Sequence, residues 1–351
     1  MTMKRLAAAA AAAACALLAA PAPAHAAPAS LHPVALPFLW PNADLYDVDA
    51  VSPAKVWAAG RQGAFCAVWV PWTPCAVGSN GNPVIRQWTG SAWKEYPING
   101  WQGQGAVVAV GGTATETWAA SGNSTPQVFR FDGTAFQPVA APAGHTYTWF
   151  RASAAGAWAR VEGLAAPLYR RSGNAWQEAS LPGTFANLID LQGRAADDAY
   201  AVGTGYRTGG FGYPTLAHWD GAAWHEIPVP EDMRPSTVNF TAVVPGGPGE
   251  AWLIGPGALV HLKDGAWTRM TVPVAGEDVL DLAPAGDGTL WALSGAEPAA
   301  GRPYRYVDGV WEAATVPTGA RPHRLAVVPG TGKVWAVAAD ASGKPLVLTD
   351  S

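Results

Sequence analysis

The stretch AHWDGAAWHEIPVP, residues 217–230, reads as a strand, a tight turn and a second strand, with two tryptophans five residues apart around an Asp-Gly. Glycine supplies the positive φ that such a turn requires, and the flanking β-formers supply the ladder. Nearly the same phrase returns as QWTGSAWKEYPI, RFDGTAFQPVAAP, RRSGNAWQEASLP, LKDGAWTRMTVPV and RYVDGVWEAATVP. Aligned on their second aromatic, the six copies place Trp93, Phe136, Trp176, Trp224, Trp267 and Trp311 at intervals of 43, 40, 48, 43 and 44 residues.

Between these copies runs another recurring phrase, seen in SPAKVWAAG, TATETWAAS and GGPGEAWLIG. It occurs seven times, anchored on Trp57, Trp118, Trp158, Tyr200, Trp252, Trp291 and Trp335. Together the two phrases make a unit of four short strands: a and b in this phrase, c and d in the other. Ser-Pro, Gly-Gly, Asp-Gly or Thr-Gly turns separate them. Four strands at such a period are the signature of a propeller blade. One d strand is missing. The chain ends on KPLVLTDS, a c strand, while LHPVALP at residues 31–37 aligns with WHEIPVP of the fourth unit. The expected fold is all-β: a seven-bladed β-propeller of four-stranded antiparallel blades, its ring closed by the N-terminal strand completing the last blade. An open ring would leave two exposed sheet edges.

The V-W-A-V-G … W-D-G-x-x-W pattern resembles the blades of secreted bacterial β-propeller proteins. WDGAAW and FDGTAF are similar to degenerate Asp-boxes of sialidase-like propellers, although the fuller Ser-x-Asp-x-Gly-x-Thr-Trp form is absent and no arginine triad or Tyr/Glu nucleophile pair can be placed. The resemblance implies a fold, and a fold does not fix a function.

A net charge of −4, with 14% charged residues, offers no basic face for nucleic acid. The N-terminus runs from a basic MTMKR through an apolar LAAAAAAAACALLAA to an Ala-x-Ala pattern. This predicts a signal peptide over residues 1–26, cleaved after Ala26, and a single secreted domain over 27–351. Lipoprotein anchoring through Cys15 is the lesser alternative, because AAAC matches poorly and the apolar run continues past it. No further apolar run approaches the ~20 residues of a spanning helix, so membrane insertion is not expected, and neither is a cofactor. A monomer is expected. Cys66 and Cys75, in FCAVWVPWTPC, are expected to form a disulfide in an oxidising compartment.

Of 18 tryptophans, thirteen fall at repeat positions and read as packing between blades. Trp40, Trp69, Trp72, Trp101 and Trp149 do not. In an up-and-down meander the d–a and b–c loops share one face, and all five belong to that rim, over three consecutive blades. Exposed indole faces suit sugar rings, and a disulfide would reduce the entropy lost on binding. The alternative is that they pack on one another. Tyr206 and Tyr213, in the long b–c loop of the fourth blade, join the same rim. So do His145, Glu231, Asp232, Arg234, Arg321 and His323 in the d–a loops.

Asp47, Asp190, Asp281 and Arg151 lie on or near a strands, which line the central channel. Paired carboxylates there would serve as acid and base in glycoside cleavage if suitably spaced. The alternative is that each aspartate bonds to turn or neighbouring-strand backbone. His218 and His261 share a repeat position with Gln87, Arg130, Arg170 and Arg305, which reads as a polar blade face rather than a metal site. The leading expectation is an exported propeller binding carbohydrate, or another small or polymeric extracellular ligand, through its aromatic rim. A polysaccharide hydrolase or lyase using the channel carboxylates, and an extracellular protein-interaction scaffold, are the alternatives.

Overall fold

The computed structural model describes residues 29–70, 73–122, 125–162, 167–206, 212–234, 239–286, 288–295 and 301–350; the expected signal peptide lies outside them. The b strands explain the architecture. In Lys55–Gln62, Trp57 and Ala59 face one way and Val56 and Ala58 the other, as a period of two dictates. The first pair packs with Val110, Phe129 and Phe136 of the following blade, and the second with Val337 and Val347 of the preceding one. Both faces are dry, so one large anchor alternates with small residues that let the neighbouring sheet approach.

Read from the channel outward, the seven sheets repeat this plan. Blade one is Asp44–Ser52, Lys55–Gln62, Asn82–Trp88 and Trp93–Glu95. Blade two is Val107–Gly112, Thr117–Ser121, Val128–Phe131 and Phe136–Pro138. Blade three is Tyr147–Ser153, Gly156–Val161, Leu168–Ser172 and Ala175–Glu178. Blade four is Asn187–Ala195, Asp198–Tyr206, Gly212–Trp219 and Trp224–Ile227. Blade five is Ala242–Pro245, Glu250–Gly255, Ala258–Lys263 and Ala266–Met270. Blade six is Asp278–Pro284, Leu290–Gly295, Arg302–Val307 and Val310–Ala313. Blade seven takes Arg321–Val327, Val334–Ala339 and Pro345–Thr349, and its outer strand is His32–Val34 from the other end of the chain. His32, Pro33 and Val34 pair with Thr349, Leu348 and Val347. Leu31, 1% exposed, stands where other blades carry a d-strand aromatic. The chain is a seven-bladed β-propeller.

Among the described residues the core divides into seven clusters, one for each pair of neighbouring blades. Trp57, Trp118, Trp158 and Trp291 are at most 1% exposed. Trp158 lies 5.3 and 5.2 Å from Trp219 and Trp224 of the next blade, and Trp335 closes the circle against Trp88 and Trp93 at 5.9 and 6.1 Å. The d-strand anchors are less uniform. Trp93 and Trp224 are buried, but Trp176, Trp267 and Trp311, at the same place in their blades, are only half-buried.

The c–d turns come in two forms. In blades five and six, Asp264-Gly265 and Asp308-Gly309 all have positive φ, 50° and 79°, then 50° and 87°, which makes two-residue hairpins with the right-handed twist the strands need. In blade four the loop is longer, and Asp220 Oδ1 accepts from the N–H groups of Ala222 and Ala223 at 2.8 Å each. The aspartate of the W-D-G motif therefore organises its own turn.

If the b-strand anchor is the wedge between blades, Trp158→Ala should cost about 3–5 kcal/mol in urea unfolding. Trp176→Ala should cost less than half as much. Equal losses at the two sites would remove the distinction drawn between b and d anchors.

Candidate functional site

The b–c connection of blade one is a second hairpin, Phe65–Val70 paired with Thr73–Ser79, standing apart from the four-stranded sheet. Cys66 and Cys75 cross-link it, with Cα atoms 5.7 Å apart. The entering strap, residues 35–43, is clipped to its base. Gln62 Oε1 accepts from the Trp40 N–H at 3.2 Å, Gly63 N donates to Pro41 O at 3.1 Å, and Asn42 Nδ2 donates to Ala64 O at 2.7 Å. From below, the Arg86 guanidinium, 4% exposed, donates to the carbonyls of Pro37 and Phe38 at 2.9 and 2.6 Å while pairing with Glu95 at 2.8 Å. A buried charge-assisted network of this kind holds main chain firmly.

What the clipped segments present to solvent is apolar. Phe38 is 74% exposed, Trp40 63% and Phe65 57%, with Val68 and Val77 exposed beside them on the hairpin. Phe38 and Trp40 meet edge to face at 5.8 Å. Isolated exposed apolar residues are ordinary, but a cluster on one rim marks an interaction surface.

The other rim residues divide. Trp101 is half-buried and stacks on Phe129 at 5.5 Å and 15°. Trp149 is half-buried against the cluster between blades three and four. His323 is committed as well, its Nε2 donating to Leu45 O at 2.7 Å across the join of blades seven and one. The side chains of Trp69 and Tyr206, and the whole of Trp72, lie outside the described residues. Tyr213 lines a small cleft on blade four together with Arg234.

The channel is organised by a β-bulge. In blades one, two, three, four, six and seven, strand a skips one residue against strand b. The residue after the skip pairs with the one two beyond the anchor. This equivalent position holds Asp47, Ala109, Trp149, Asp190, Asp281 and Arg324, with Ala242 in blade five. Each of the three aspartates accepts an N–H from the inner strand of the next blade: Val110 at 2.8 Å, Val243 at 3.2 Å and Leu325 at 2.7 Å. Inner strands are sheet edges with unpaired donors facing the channel, and the carboxylates satisfy them. Arg151 ion-pairs with the second oxygen of Asp190 at 2.6 Å. Asp190 thus ties together blades three, four and five.

Asp47 sits deep in the ring with partial contact to channel solvent, and burial pushes its carboxyl up to about 6, against the opposing pull of the Val110 N–H and of Arg324 and Arg151. Burial raises Asp281 as well. Asp49, two residues further along, rises to about 7 through burial and the charge of Asp47, and its Oδ2 has no hydrogen-bond partner among the described residues. Arg324, exposed and within electrostatic reach of Asp47 and Asp281, is not singled out by the sequence. It lies eleven residues before its anchor rather than ten, because blade seven has a longer a–b turn. His218 and His261 pair with Asp198 and Glu250 at the start of strand b, as Arg130 pairs with Glu116. At that repeat position a polar side chain bonds a carboxylate beside strand b in these three blades.

Neither a protein-family model nor a curated protein matches this chain. Solved structures do match it. YCF48 from Cyanidioschyzon merolae is 14% identical, with 92% of this chain and 98% of that one covered at a TM-score of 0.59. A structure of YCF48 bound to D1 peptide is also 14% identical, over 93% and 96%, at 0.57. The β-propeller domain of the Trilobed protease from Pyrococcus furiosus is 10% identical, over 88% and 95%, at 0.59; its open velcro topology contrasts with the closed ring here. At these identities the likeness is one of fold.

The buried Asp49 carries a pH signature. Its folded state holds a proton that the unfolded chain releases near pH 4, so between about pH 4 and 7 stability falls as pH rises. At about 1.4 kcal/mol per unit, the native protein should lose roughly 3 kcal/mol more than Asp49→Asn between pH 5 and pH 8. Urea unfolding at both pH values reads this directly; parallel losses would mean that Asp49 is paired and ionised.

Proposed function

We propose that this chain is an exported binding propeller that holds a polypeptide partner on the blade-one rim. The observation that carries this reading is the apolar surface of Phe38, Trp40, Phe65, Val68 and Val77, borne on a strap hydrogen-bonded to the base of a hairpin that Cys66–Cys75 cross-links within itself. A surface already fixed loses little entropy on binding, and each large side chain buried by a partner contributes about 1.5–3 kcal/mol. Mixed aliphatic and aromatic groups suit apolar side chains of a peptide better than the polar edge of a sugar. YCF48, a propeller of similar fold, has been solved with a D1 peptide.

Carbohydrate is the second reading, favoured by the free indole of Trp40. It has less support than the sequence suggested, because Trp101 and Trp149 are packed against protein. Catalysis has less still, since each channel carboxylate accepts a main-chain N–H and Arg151 is paired. Export rests on the signal-peptide pattern and accords with the disulfide.

Peptides selected from a random display library on residues 27–351 should be rich in apolar residues. The double substitution Trp40→Ser, Phe65→Ser should weaken them at least tenfold, about 1.4 kcal/mol, while Val310→Ser on the outer edge of blade six should not. Retention on insoluble polysaccharides that is lost with Trp40→Ser would give the site to sugars instead. N-terminal sequencing of the protein recovered from culture medium should begin at Ala27.

A further inference from the structure

A polar cleft of about 240 Å3 lies at the top of blade four, on the same face as the blade-one rim but three blades away. It exists because strand d of that blade ends at Ile227, opposite Leu216, while strand c extends back to Gly212. The chain leaves through Pro228, which cannot donate to a ladder. Tyr213, Pro214 and Thr215 therefore have no outer strand against them, and the departing segment arches over the gap to Arg234.

Two polar groups in this cleft have unmet hydrogen-bonding capacity. Thr215 is 2% exposed, and its Oγ1 has no partner among the described residues. Arg234 donates from Nη2 to Val229 O at 3.3 Å, but its buried Nε has no acceptor among the described residues. A buried donor and a buried hydroxyl left unpaired are costly, and a recurrent reason for them is a ligand that completes them. The arginine is also held in place. Arg269 Nη2 donates to the carbonyls of Asp232 and Arg234 at 2.8 Å each, fixing the 3-10 turn Glu231–Met233 to blade five. On the other side of the cleft stands the carboxylate of Glu226, steadied by the Thr184 hydroxyl at 2.9 Å. Pro214, Ile227 and Pro228 make the apolar wall.

One cation, one anion and an apolar wall within a single small cleft match a zwitterion. At about 240 Å3 the cleft has room for a small molecule such as an aliphatic amino acid. We propose that this cleft binds a free α-amino acid with an apolar side chain. Its carboxylate takes the Arg234 Nε–H and the Thr215 hydroxyl, its ammonium meets Glu226, and its side chain lies on Pro214, Ile227 and Pro228. The site is independent of the blade-one rim and stands or falls without it.

Isothermal titration of residues 27–351 with L-leucine, L-valine and L-proline tests this. At least one should bind, and its N-acetyl and amide derivatives should each bind at least tenfold more weakly, because each removes one of the two charges. Glu226→Gln and Arg234→Lys should each weaken the free amino acid at least tenfold. Glu226 is exposed and lysine preserves the charge, so both variants should keep the parent melting temperature, which the same samples report. The proposal is overturned if none of the three binds at millimolar concentration, if the blocked derivatives bind as well as the parent, or if folded Glu226→Gln and Arg234→Lys retain full affinity.

Discussion

The structure depends on one contact repeated around a circle: the large side chain of strand b wedged against the neighbouring blade. Because strand b is buried on both faces, its sequence is constrained more tightly than that of any other element. One large ring is set among mostly small residues, as in Val56-Trp57-Ala58-Ala59-Gly60, although Leu253 and Leu290 stand beside the anchors of blades five and six. Gly60 illustrates the tolerance. A Cβ there would lie 1.9 Å from the carbonyl oxygen of Asp44, so beside the β-bulge the inner and second strands of blade one leave no room for a side chain at this position.

Closure solves one problem and leaves another. Pairing of His32–Val34 with Pro345–Thr349 completes the last blade and closes the ring, but the inner strands still face the channel as sheet edges. Three aspartates at one equivalent position answer this, each reaching to the next blade. The β-bulge matters here, because it turns the side chain after the skipped residue to where it can reach that N–H. Holding carboxylates in such a place has a cost, visible in the upward shifts of Asp47 and Asp281. The positive charges of Arg151 and Arg324 offset part of it. A channel arranged in this way is a structural hub.

The architecture was legible in the sequence because it is periodic. Anchors recurring every 40–48 residues, turn residues between them, and a spare strand at the N-terminus together admit few folds. The site was less legible because it lies in what does not repeat. Trp40 and Trp101 occupy equivalent loops, yet one is exposed and the other stacks on Phe129, and only the neighbour decides which. Phe38, Phe65, Val68 and Val77 stand in segments that read as rim loops, where the sequence singles out tryptophans and nothing in it reveals that FCAVWV forms a hairpin clear of the sheet. Arg324 was hidden by a single extra residue in a turn. Each miss is a matter of which surface lies opposite a side chain, and periodicity carries no information about that.

The division of labour between channel and rim follows from the same geometry. Residues on the inner strands are fixed by the bulge register and committed to neighbouring backbone, so changing one loosens two blades. The d–a and b–c loops carry no ladder bonds that the ring requires, and they can lengthen freely, as the inserted hairpin of blade one and the long b–c connection of blade four do. An insertion of this kind must still be held if it is to bind anything. In blade one that is achieved from within the blade: Arg86 and Glu95 on the outer two strands, and Gln62 at the end of strand b, grip the strap beneath Phe38 and Trp40. In blade four, Arg269 of the next blade grips the turn beside Arg234. Polar side chains rooted in rigid strands thus set the position of loops that have no sheet of their own to define them.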